Sequence, residues 1–203
     1  MFALLGNLKI RAKLLLAGLP LALMVVIATL YSSIQSKSID TAYSELFDHD
    51  VKSLQSLSVA RAHTNRFGLF LYELVTEPDP DKKLQIDAEL DQLFADFKAR
   101  IREAIALSPD HVREIRDTDA FFDKAFSDAR PIRAAALANN NEKALSLLRG
   151  DAGTQMQKAR QAAIDAVEHL RASVDQQSDD LTRKTNRSIL ITCLVVCLGL
   201  AAT

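Results

Sequence analysis

Charged residues are absent from two stretches near the ends of the chain and dense between them. From Leu14 to Tyr31 the sequence reads LLLAGLPLALMVVIATLY, 18 residues without a charge. As a helix this run is roughly 27 Å long, close to the thickness of a bilayer core, and it predicts a membrane span over 14–31 with Pro20 as a tolerated kink. Residues 188–203, SILITCLVVCLGLAAT, are also uncharged. They cover only roughly 24 Å and lack a polar flank, so a second span is expected whose completion, with a cytoplasmic portion, lies beyond residue 203.

The sequence from 32 to 187 carries the three-four spacing of amphipathic helices. Leu57, Ala60, Thr64, Phe67, Leu71 and Leu74 form a heptad seam with one polar member, and Ile39, Ala42 and Leu46 follow the same spacing. The phase slips between Leu46 and Leu57. A first helix is predicted to leave the membrane unbroken and end near Thr76, before Glu77-Pro78-Asp79-Pro80-Asp81. A second is predicted from Asp81 to Leu107, with Leu90, Leu93, Phe94, Phe97, Ile101 and Ala104 as its core face. Ser108 as N-cap and Pro109 at the first position start a third at once, using Ile115, Phe122, Phe126 and Ala129, until Pro131 kinks or ends it. Asn139-Asn140-Asn141 predicts a loop, and Glu142 to Arg149 a short helix. A fourth long helix is predicted from about Thr154, with Met156, Ala163, Val167, Leu170, Val174 and Leu181 in one stripe running on into the second span. The expected fold is therefore all-α: an antiparallel up-down four-helix bundle continuous with two transmembrane helices, and upright on the bilayer.

Composition supports helix, since Gly and Pro together supply only 11 of 203 residues. The net charge of −1 hides an uneven layout: Lys9, Arg11 and Lys13 precede every acidic residue, and the remainder carries 22 bases against 26 acids. The three N-terminal bases place residues 1–13 in the cytoplasm and send 32–187 to the other side of the membrane. Arg183, Lys184 and Arg187 lie on the expected outer side of the second span and oppose that orientation. The first run is read as an anchor rather than a cleaved signal peptide, because Ala28-Thr29-Leu30 makes a poor cleavage site. A mildly acidic, mixed surface offers nucleic acid no basic footprint. The two cysteines, Cys193 and Cys197, both fall in the second apolar run, which leaves the region between the spans without a disulfide or thiolate metal site.

Nothing in the sequence assembles a catalytic nucleophile with its base, a glycine-rich phosphate loop or a cofactor motif. The four histidines, His49, His63, His111 and His169, have no second ligand at helix-face spacing, so no metal is expected. Asp87 and Asp91 sit one turn apart and are read as a solvated helix face. The more specific polar group is Arg61, His63, Thr64, Asn65 and Arg66, which interrupts an apolar stretch of the first helix. Arg61 and Arg66 diverge by roughly 140° and cannot face one groove on the same chain. Across a two-fold pair of first helices they can, offering guanidinium forks to a carboxylate. The competing reading is surface arginines flanking a core stripe, with Phe67, Phe70 and Tyr72 as core and rim.

The layout resembles the N-terminal sensor region of bacterial methyl-accepting chemotaxis proteins, the four-helix-bundle ligand-binding type. The likeness is carried by Asn7-Leu8-Lys9-Ile10-Arg11 ahead of the Leu-rich span, by Leu74-Val75-Thr76-Glu77 before the Pro-Asp turn, and best by Asn140-Asn141-Glu142-Lys143-Ala144-Leu145-Ser146-Leu147-Leu148-Arg149-Gly150 before the last helix. The resemblance implies a periplasmic, homodimeric bundle that binds a small amino acid or organic acid between the first helices. Arg61 and Arg66, with Thr64 and Asn65 beside them, resemble the ligand-holding residues; Thr154, Gln155 and Gln157 are the implied opposing contacts. It also implies signalling partners in the cytoplasm, reached through a part absent here: the HAMP linker, methylation helices and kinase-coupling tip. The same bundle precedes histidine kinases and nucleotide cyclases, and a membrane-anchored bundle contacting only another protein is a further alternative.

Overall fold

The computed structural model describes residues 10–201, and side-chain environments for 18–199 except Pro20 and Leu21. The expected cytoplasmic segment therefore lies outside the described residues up to Lys9, as do Ala202 and Thr203. The described residues are helical throughout apart from short turns. The elements are α1 (Ile10–Glu45), a π-helix (Leu46–Val51), α2 (Lys52–Thr76), α3 (Pro80–Leu107), a 3-10 turn (Pro109–His111), α4 (Val112–Asp128), α5 (Arg130–Leu137), α6 (Asn141–Arg149) and α7 (Asp151–Ala201).

The described residues form two compact units, one from Leu46 to Asp175 and the other made of those up to Glu45 with those from Gln176 onward. The first unit is a bundle of α2, α3, α4 with α5, and α7 up to Asp175. Its seam is the one the sequence spacing marks: Leu57, Ala60, Thr64, Phe67, Leu71 and Leu74 are all buried on α2. In one core cluster with the apolar members of this seam are Leu90, Phe97 and Ile101 of α3, Ile115 and Phe122 of α4, and Ala166, Val167 and Leu170 of α7. Phe122 is the hub of an aromatic cluster, 5.3 Å from Phe67 and 4.1 Å from Phe97 between ring centroids, while Phe94 stacks on Phe126 at 4.0 Å.

Ion pairs brace the bundle at its rim. Arg133 reaches back from α5 to Asp87 (2.6 Å) and Asp91 (2.8 Å) of α3, with its guanidinium 5.3 Å over Phe126. Burial disfavours that charge, but the bonds and charges of the two aspartates outweigh it and raise the guanidinium's pKa. The pair read as a solvated face thus clamps a neighbouring helix. Lys98 likewise bridges α3 to Asp119 (2.6 Å) and Asp123 (3.0 Å) of α4.

Several boundaries differ from the sequence expectation. The first helix is not uninterrupted: where the spacing slips, a π-helix takes in the surplus residue. Ser108 does not cap the third helix. Its hydroxyl donates to Asp50 Oδ1 at 2.8 Å instead, Pro109–His111 form a 3-10 turn, and the α-helix starts at Val112. Pro131 does end α4, and α5 resumes at Arg130 with the proline in its first turn, where no backbone N–H is needed. The three asparagines divide the labour of a corner. Asn139 takes the left-handed conformation (φ 57°), and the Asn140 side chain caps α6 by accepting from Lys143 N at 3.2 Å. Asn141 opens α6. α7 begins at Asp151, three residues before the expected Thr154.

In the second unit α1 pairs with the C-terminal part of α7. Tyr43 Oη and Thr182 Oγ1 are 3.3 Å apart, and a cleft of about 330 Å³ is lined by Val25, Ala28, Thr29, Ser32, Ser33, Thr192 and Val196. Among the described residues one helix, Ala22–Thr76 with the π-turn included, is long and apolar enough to cross a membrane, and its most apolar stretch is only 6% buried. Leu19, Leu23, Val25, Val26, Ile27 and Leu30 present their side chains outward, as do Ile189, Leu190 and Leu194 on α7. The expected second span, 188–203, runs past the described residues.

Candidate functional site

On α2 the buried seam has an opposite face. Ala62, Asn65, Leu69, Tyr72 and Thr76 are all exposed and follow one another at steps of three and four, so they form a single stripe pointing away from the core. Leu69 is 70% exposed and Tyr72 57%, unusual for large apolar groups on a helix that otherwise buries its apolar positions so fully. The two arginines lie on either side of this stripe: Arg61, half-buried, on one flank, and Arg66, exposed, on the other. They do not converge within the chain, as their five-residue spacing requires. Arg66 lies 4.7 Å over the Phe70 ring, a contact that steadies the side chain on its flank.

Thr64 and Asn65 separate in role. Thr64 is buried in the seam and its hydroxyl donates to the Arg61 carbonyl at 2.7 Å, whereas Asn65 is on the outward stripe. His63 sits on the flank toward α3. Burial lowers its pKa below the ordinary histidine value, Arg100 and Arg66 add to this, and Asp96 opposes it. Phe67 is core, Phe70 half-buried and Tyr72 exposed.

The start of α7 packs beside α2 at one point. A Cβ on Gly68 would lie 3.3 Å from Met156 Cε, so the glycine admits the methionine side chain between the helices. Thr154 and Gln157 flank Met156 and are exposed. Gln155 is half-buried and lines a separate cleft with residues of α4, α5 and α6. Among the described residues no three His, Cys, Asp or Glu side chains gather as metal ligands.

The sequence singled out the arginines but missed the stripe between them. Its signal was available as a second three-four series, 62-65-69-72-76, offset from the core seam. It was masked because Ala, Asn and Thr give that series little hydropathy.

In a comparison with protein families, the model of the four helix bundle sensory module for signal transduction fits residues 7–189. No curated protein and no solved structure matches the chain. The fitted region takes in the whole of the bundle, with the core seams, helix order and turns described above. The chain accordingly belongs to the family of four-helix-bundle sensory modules for signal transduction, the sensor type of methyl-accepting chemotaxis proteins.

Proposed function

We propose that this chain is the sensor region of a transmembrane chemoreceptor. Residues 32–187 are periplasmic, and two copies pair through the outward face of α2. A small carboxylate-bearing solute, an amino acid or organic acid, is held at that interface by Arg61 and Arg66. The observation that carries this reading is the exposed stripe Ala62, Asn65, Leu69, Tyr72 and Thr76 with an arginine on each flank. Two-fold pairing of this stripe covers Leu69 and Tyr72 and brings Arg61 of one copy toward Arg66 of the other. Two guanidiniums from opposite sides suit a carboxylate, which each can engage through parallel N–H bonds. Asn65 on the stripe supplies an amide, and Thr154 and Gln157 are the exposed polar groups at the level of Gly68.

Signal passage follows from the helix that carries these contacts onward. α7 is one continuous helix of 51 residues from Asp151 to Ala201. A small axial displacement set at its start travels along such a helix, because packed helix interfaces switch between discrete arrangements. The apolar, outward-facing part of α1 anchors the module in the inner membrane.

Disulfide crosslinking in membranes tests the pairing. With Cys193 and Cys197 replaced by serine, single cysteines at Ala62, Asn65 and Leu69 are expected to give subunit-paired products, and one at Glu89 on the outer face of α3 none. Equal yields at all four positions, or none at 62, 65 and 69, would remove the proposed interface. A thermal-shift panel of amino acids and organic acids then tests the ligand, since a solute bound only by the folded state raises the melting temperature. Arg61→Ala and Arg66→Ala should each abolish the rise.

A further inference from the structure

Charge and hydropathy change together at one level of the paired helices α1 and α7, within the unit that carries the apolar ends. On one side of that level the outward side chains are apolar: Leu30 is 59% exposed and Ile34 69% on α1, Ile189 57% and Leu190 61% on α7. At the level itself four bases stand exposed, Lys37 on α1 and Arg183, Lys184 and Arg187 on α7. The acids come next, farther from the apolar runs: Asp40 and Glu45 on α1, Asp180 and Asp179 on α7. Both helices therefore pass from apolar to basic to acidic in the same direction.

Two contacts set the four bases at a common height. The cleft of about 330 Å³ has Ser32 and Ser33 lining it with Thr192, and Tyr43 meets Thr182 at 3.3 Å. Lys37 and Arg187 each lie about midway between those contacts on their own helices, with Lys184 and Arg183 about one turn beyond. Among the described residues the belt has little internal compensation. Its ion pair is Arg183 with Asp180 at 3.9 Å, where the arginine side chain is 81% exposed, and such a pair holds its members weakly. The bases on α7 are also the ones whose place outside the second apolar run opposes the orientation set by Lys9, Arg11 and Lys13. A partner for them at that level removes the conflict.

We propose that Lys37, Arg183, Lys184 and Arg187 form a docking surface for anionic phospholipid headgroups, recognised through their phosphates. The proposal rests on the reading of the apolar runs as membrane spans. Charge complementarity and position carry it: the belt is cationic, and it borders the exposed apolar surface that lipid chains would cover. Lysine and arginine stems lie along apolar surface while their charged heads reach the phosphate level. Arg187 is one helical turn from both Arg183 and Lys184, so neighbouring bases of α7 can reach one phosphate. The acids beyond the belt repel the same lipids, which fixes the depth at which the helices sit.

Lipid selectivity of the full chain tests this. The chain has no tryptophan, so Tyr31→Trp places a single fluorophore at the edge of the first apolar run. Vesicles contain equal parts phosphatidylcholine and phosphatidylglycerol, with bromine on the acyl chains of one or of the other. Bromine on phosphatidylglycerol should quench the tryptophan more strongly, reporting a local preference of about fivefold that shrinks in about 0.5 M salt. Replacing all four bases by glutamine should make the two lipids equal. Arg183→Lys with Arg187→Lys should keep the preference, and so should Lys52→Gln, which removes a base of α2 outside the belt. Equal quenching by the two lipids in the parent, or a preference that survives the fourfold substitution, would overturn the docking surface. Quenching by neither lipid would overturn the membrane reading and the docking surface with it.

Discussion

The ammonium of Lys83 lies 2.7 Å from Oδ1 of Asn141, and the same nitrogen donates to Asn139 Oδ1 at 3.0 Å and to the Ala136 carbonyl at 2.8 Å. Lys83 is 1% exposed, so a buried cation is here satisfied by three neutral oxygens instead of a carboxylate. These bonds tie the start of α3 to the end of α5 and the start of α6.

Replacing this lysine should be costly. Lys83→Met removes the cation and leaves the side-chain oxygens of Asn139 and Asn141 without their donor, while the Ala136 carbonyl keeps the Asn139 N–H at 3.0 Å, a loss of about 1–3 kcal/mol. Asn141→Ala leaves two of the three acceptors in place and should cost less. Chemical denaturation followed by circular dichroism measures both; a Lys83→Met variant as stable as the parent would show that the corner is held by its apolar contacts alone.

Two glycines predict opposite responses to alanine. At Gly68 the new methyl group meets only the mobile end of Met156, and alanine favours helix by about 1 kcal/mol over glycine. Gly68→Ala should therefore leave stability unchanged or slightly raised. At Gly153 the methyl group meets a backbone carbonyl oxygen that cannot move without shifting α6. Gly153→Ala should lower the melting temperature clearly, by a loss of about 1–3 kcal/mol.

The π-helix should be the softest part of the bundle. It interrupts the regular α-helical ladder, Phe47, Asp48 and His49 are exposed, and it begins where the two compact units divide. Amides of residues 46–51 should exchange with solvent deuterium faster than those of 57–74, where the α2 seam is buried. Equal protection would mean that the π-turn is as firmly held as the core helix.

His63 gives the bundle a pH response. Its folded pKa lies below its unfolded one, through burial first and then Arg100 and Arg66, so the unfolded chain binds the proton more readily. The stability from neutral His63 is fully present above the unfolded value near 6.5 and is lost as pH falls through the folded value. Thermal melts between pH 8 and pH 5 should show His63→Gln losing less stability on acidification than the parent does.

How much of this was legible beforehand differs by element. The seam from Leu57 to Leu74 and the faces built on Phe97, Phe122 and Leu170 could be read directly, because helical burial repeats at a fixed period and the sequence keeps that period. The phase slip after Leu46 was also visible, though not its form. A change of spacing marks where surplus backbone must go, but whether it becomes a kink, a loop or a π-turn depends on what packs around it. Ser108 shows the same limit. Its sequence context suits a helix cap, yet Asp50, 58 residues away, takes its hydroxyl.

The sequence by itself determined that the chain is all-helical, where its core stripes run, and that its ends are apolar, since these depend on local period and composition. Only the tertiary structure decided which polar groups act together. Asp87 with Arg133, and Lys83 with the Asn139–Asn141 corner, are each far apart along the chain. Their pairing depends on how helices are set side by side, and that information is held in no single stretch of sequence.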